Sequence, residues 1–80
     1  MSVKCDVYKT SVREHLYLYV YHGAGLDGVP EALLAQFREP ELALTFDLHP
    51  ERNMAREDPK KVLANLEEVG YHLQLPPVDP

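Results

Sequence analysis

The hexapeptide LYLYVY, Leu16–Tyr21, constrains this chain more than any other stretch. Leu16, Leu18 and Val20 alternate with Tyr17, Tyr19 and Tyr21. A period of two in branched and aromatic residues is the signature of a β-strand. Because both faces are partly apolar, the segment is expected to be a central strand with cover on each side. A chain of 80 residues has little surface to spend on such cover, since a domain of this size buries only about 60% of its unfolded surface. One domain, residues 1–80, is the expected organisation.

The remaining elements follow from the same reasoning. Val3–Tyr8 alternates Val3, Cys5 and Val7 with polar neighbours and reads as a strand. The polar link Lys9–His15 is too short for a parallel crossover, so the first two strands should form an antiparallel hairpin. His22–Gly28 holds three glycines and reads as a connection. Pro30 opens a short helix with Leu33, Leu34 and Phe37 on one side, and Pro40 stops it. In Glu41–Leu48, Leu42, Leu44, Phe46 and Leu48 are expected to point inward. Met54 reads as an apolar anchor in an irregular stretch.

A second helix is announced by Asp58 as N-cap, Pro59 at its first position and Gly70 after its last turn. Val62, Leu63, Leu66 and Val69 make its buried stripe, leaving Asn65 with the charged residues for water. Tyr71–Leu75 reads as the last strand, ended by Pro76, Pro77 and Pro80. The pattern predicts an α/β (α+β) fold in the order β-β-α-β-α-β. Two strand–helix–strand connections long enough for crossovers suggest a mixed four-stranded sheet.

Composition excludes some functions. There is no long apolar run, so no membrane span is expected, and no secretion signal opens the chain. The lone Cys5 cannot form an internal disulfide, which suggests a reducing, cytoplasmic setting and a small buried hydrophobe rather than a nucleophile. A net charge of −5 argues against tight nonspecific nucleic-acid binding.

Five stretches together resemble the YcgL family of small bacterial proteins: CDVYKT (Cys5–Thr10), YLYV (Tyr17–Val20), VPEALL (Val29–Leu34), MARED followed by Val62 in phase, and GYHLQLPP (Gly70–Pro77). The resemblance implies an α/β/α sandwich, with helices on both faces of the sheet. It implies no catalytic residues, and it links the chain to RNA metabolism only through relatives encoded beside ribonuclease D. Relatives often carry an aromatic residue where this chain has His72. Many also continue past the proline pair, and a face covered by such a tail is expected to be more open here.

The first candidate site is a tyrosine-bearing sheet face: Tyr8, Tyr17, Tyr19 and Tyr21, with Lys9 at the hairpin end and Gln74 on the same side. Such a face can stack bases or arginines, or its rings can pack beneath a helix with their hydroxyls at the rim. Asp6, Asp47 and His72 form a second set, able to hold a divalent metal if they converge, or else solvated polar residues. His15, His22 and His49 lack metal-ligand spacing and read as surface residues. The GAGLDG stretch lacks a following GKS or GKT, and Glu31 stands where a phosphate would be held. Arg52, Arg56, Lys60 and Lys61 form a small basic cluster, most simply a solvated face and otherwise a weak contact for RNA or an acidic partner.

No cofactor motif is present. The reading that follows is a noncatalytic binding or accessory domain for a protein or RNA partner, with Tyr8, Lys9, Tyr17, Tyr19 and Gln74 as the binding face. The alternatives are a metal-dependent ribonuclease using Asp6 and Asp47, and a structural subunit or homodimer.

Overall fold

A computed structural model describes residues 2–54 and 57–76. Arg56, Pro77 and Pro80, used in the sequence reading, lie outside the described residues. The elements are β1 (Val3–Lys9), β2 (Tyr17–Tyr21), α1 (Glu31–Phe37), β3 (Glu41–Leu48), α2 (Pro59–Val69) and β4 (Tyr71–Gln74). Their order along the chain is the one expected, and the class is α+β.

The sheet order is β3-β1-β2-β4. The hairpin forms as expected, with Val7 opposite Tyr19 and Lys9 opposite Tyr17. Every neighbouring pair is antiparallel, which corrects the expected mixed sheet. The reason is topological. β2 and β3 do point the same way, since both oppose β1, but α1 carries the chain across β1 and the parallel strands never meet. α2 then links two strands of opposite direction.

β2 is an interior strand buried on both sides: Leu18, Tyr19 and Val20 are consecutive and all buried. One cluster joins Leu18 and Val20 to Phe37 of α1, with Leu33 and Leu34 packed alongside. The other joins Cys5, Val7, Tyr19 and Leu48 to Val62 and Leu66 of α2, with Met54 and Leu63 alongside. The helices therefore cover opposite faces, as the family resemblance implies.

α2 begins and ends where the sequence signals place it. Asp58 accepts a hydrogen bond from the Lys60 amide, and Gly70 adopts the left-handed conformation at φ 88°. Pro30 is the N-cap of α1 rather than its first residue. Val69 departs from the expected stripe: it is exposed in the last turn, where the chain turns back toward β4.

β3 departs most. Its alternation predicts buried Leu42 and Leu44, yet they are 54% and 49% exposed. It is an edge strand, so part of each side chain has no neighbour to pack on. Val7 pairs with Leu44 but Tyr8 pairs with Leu42, so Ala43 is an extra, bulged residue and parity breaks there.

Candidate functional site

The two helices do not cover the sheet completely. α2 lies over the Cys5 and Leu48 end of its face. Toward the hairpin end the described residues leave the face open and form a concavity of about 540 Å³. Val7, Tyr19, Leu44 and Phe46 make its apolar floor, while Lys9 and Arg52 bring cations to it. Each comes from a different part of the fold: Val7 and Lys9 from β1, Tyr19 from β2, Leu44 and Phe46 from β3, and Arg52 from the turn after β3.

Arg52 is held in place. Its guanidinium lies 4.4 Å from the centre of the Phe46 ring, and Nη1 donates to the Asp47 carbonyl at 3.2 Å. Tyr19 is fixed at the other side. Its hydroxyl donates to Gln74 Oε1 at 2.6 Å, and its ring meets Phe46 and His72 edge-on. Burial, with added repulsion from the Glu57 carboxylate, pushes the Tyr19 phenol up to about 12. Buried His72 bonds Asn65 through Nδ1 at 2.7 Å. Its Nε2 sits 3.3 Å from Glu57 but out of line for a hydrogen bond. Asn65, expected in water, is thus half-buried in this polar wall. His15 borders the concavity from the hairpin connection with φ at 64°, a conformation uncommon outside glycine.

Of the five residues read from the sequence as a binding face, Lys9, Tyr17, Tyr19 and Gln74 come together here. Tyr8 does not. It lies opposite Leu18 and packs into the cluster on the α1 face. Alternation alone separates it: Tyr8 shares a face with Leu18, whereas Lys9 shares one with Tyr17. Leu44, Phe46, Arg52, His15 and Glu57 were not read as part of this site. Leu44, Phe46 and Arg52 join it because β3 pairs with β1. His15 comes from the hairpin connection and Glu57 from the segment before α2, and no local pattern states these placements. The nearest signal was the cationic Arg52 after the last apolar residue of β3.

The Asp6, Asp47 and His72 set does not converge. Asp6 and Asp47 lie on the α1 side and His72 on the α2 side, opposite Tyr19. Among the described residues no three His, Cys, Asp or Glu side chains form a metal-binding group. Asp6 is instead a structural acceptor. It takes hydrogen bonds from Thr45 Oγ1 at 2.6 Å, His22 Nδ1 at 2.8 Å and the Gly23 amide at 3.2 Å. Burial pushes its carboxyl up, but these donors and the charge of His22 outweigh that and hold it below 3.8. The glycine connection thus gives the Gly23 amide to a carboxylate of its own chain. Cys5 is fully buried, and burial chiefly raises its thiol to about 11, which leaves little thiolate for nucleophilic work near neutrality.

An apolar floor with cations beside it can seat an apolar side chain and orient a polar main chain. Stacking of bases is poorly served: Arg52 occupies the Phe46 ring, Tyr19 is buried and committed to Gln74, and Tyr8 is on the far face. No helix among the described residues is long and apolar enough to cross a membrane.

A model of the YcgL domain matches residues 5–77. A YcgL domain-containing protein of Stutzerimonas stutzeri strain A1501 is 51% identical over 79 residues, covering 99% of this chain and 81% of that one. Similar proteins from Pseudomonas putida strain W619 and Azotobacter vinelandii strain DJ are each 52% identical, over 94% and 96% of this chain and 77% and 79% of theirs.

Proposed function

The chain belongs to the YcgL domain family, and we propose that it is a noncatalytic cytoplasmic recognition domain that binds another protein through the open half of its α2 face. The observation that carries this reading is the concavity beside β3, where Lys9, Tyr17, Tyr19 and Gln74 meet Leu44, Phe46 and Arg52. A site that small, on a domain of 80 residues, suits a transient partner contributing one short segment rather than a broad interface. The net charge of −5 and the engagement of Tyr19 with Gln74 and of Phe46 with Arg52 favour a protein over RNA.

The test is a nuclear magnetic resonance titration of isotope-labelled protein, with blocked extended peptides in one series and oligouridylate in another. Peptide-induced shifts concentrated at Lys9, Tyr17, Leu44 and Arg52 are expected, and Lys9→Glu with Arg52→Glu should weaken them. Shifts at these residues with oligouridylate alone would transfer the site to RNA.

A further inference from the structure

We propose that the outer edge of β3 accepts an added strand from the partner protein, a segment that turns apolar side chains toward the α2 face and basic ones toward the α1 face. This rests on the recognition reading above and names the partner's chemistry. Among the described residues β3 stands at the margin of the sheet and pairs only with β1. An edge strand leaves a row of backbone donors and acceptors without partners, ready for another chain. Such edges are ordinarily blunted by short length, charged side chains, proline or a bulge. β4, the opposite edge, follows that practice with four residues and Pro76 shortly after. β3 is blunted less: Pro40 and Pro50 flank it, but it runs eight residues, twice the length of β4, holds no lysine or proline inside it, and exposes Glu41–Thr45 without a break. Its one disruption is the bulge at Ala43, which leaves Leu44–Leu48 as the regular stretch for pairing.

The two sides of that stretch differ. On the α2 side Leu44 and Phe46 open directly onto the concavity, so apolar side chains of an added strand would continue its floor. On the α1 side stand Thr45 and Asp47. The Thr45 hydroxyl is already given to Asp6. Asp47 is exposed and, although it sits opposite Lys4, makes no ion pair among the described residues. Opposite charges directly across a ladder attract, so Asp47 calls for a lysine or arginine on its outer side. A second copy of this chain does not supply it, because β3 contains neither residue and each copy carries −5.

Amide hydrogen exchange, followed residue by residue in the labelled protein, tests this with three blocked octapeptides: alternating lysine and valine, alternating glutamate and valine, and the lysine–valine peptide N-methylated at every second residue. The lysine–valine peptide should slow exchange at alternate amides of Leu44–Leu48. N-methylation on the residues facing β3 should weaken binding at least about tenfold, because it removes the shared main-chain donors. Asp47→Lys, at an exposed position, should reverse the preference toward the glutamate–valine peptide. Shifts at Lys9 and Arg52 without slowed exchange in β3 would overturn strand addition and leave recognition through the concavity standing. Response to oligouridylate alone would overturn both. Slowed β3 exchange without peptide, together with a dimeric mass in sedimentation, would assign the edge to a second copy and overturn the proposal.

Discussion

Asp6 shows how one residue type can be read correctly as polar and wrongly as a ligand. Its buried carboxylate accepts from Thr45, His22 and Gly23, so Asp6→Ala removes three hydrogen bonds at once. That should cost about 2–3 kcal/mol in urea denaturation at pH 7. The sign of its pH dependence is fixed by its lowered pKa. Stabilisation is full above the unfolded value near 3.8 and is lost as pH falls through the lower folded value. The stability gap between the parent and Asp6→Ala should therefore narrow in the same denaturation measured near pH 2. Cys5 belongs to the same scale. With its thiol pushed up to about 11 inside the core, labelling by a disulfide reagent at pH 8 should proceed only as fast as the protein opens. Labelling of the native protein at the rate of a free thiol would refute the burial on which this depends.

Among the elements, α2 was the most legible because each of its ends is fixed by local chemistry. Asp58 caps through its own side chain, and Gly70 relieves a left-handed backbone. Nothing lies within 4 Å of a Cβ built on Gly70, so Gly70→Ala meets only backbone strain. It should cost about 1–2 kcal/mol, or roughly 4–8 °C in Tm per kcal/mol for a domain of this size. Asp58→Ala should cost about 1 kcal/mol by thermal denaturation. β3 was the least legible. Its alternation matches that of a buried strand, yet it lies at the edge, and a bulge at Ala43 reverses the parity of Leu42. Periodicity reports which side a residue takes; it carries no information on whether that side is covered. The same limit misplaced Val69 in α2. Tyr8 is a different case: alternation already sets it on the opposite face from Lys9, and the hairpin register places it against Leu18.

At the scale of the whole molecule, the sheet separates two apolar clusters that draw on consecutive residues of β2, Leu18 and Val20 for one and Tyr19 for the other. Leu18→Ala, on the α1 side, and Leu66→Ala, on the α2 side, should each cost about 2–5 kcal/mol. Because these side chains sit on opposite faces without shared partners, their costs should add in the double variant, provided it still folds. Since one strand serves both clusters, chemical denaturation should nonetheless show a single transition, with coincident curves from circular dichroism and tyrosine fluorescence. Two separate transitions would mean that the faces fold independently.

The residues alone determined the number, kind and order of the elements, the hairpin, the caps of α2 and the two-sided burial of β2. These follow from interactions within a few positions of each other, where spacing fixes direction. The tertiary structure decided which strands are neighbours, that all of them run antiparallel, and that Arg52 and Phe46 from β3 and its turn join Lys9 and Tyr19 around one concavity. Those outcomes turn on which strand edge a distant segment occupies, a choice made by the competition of whole surfaces for cover and written in no single stretch of the chain.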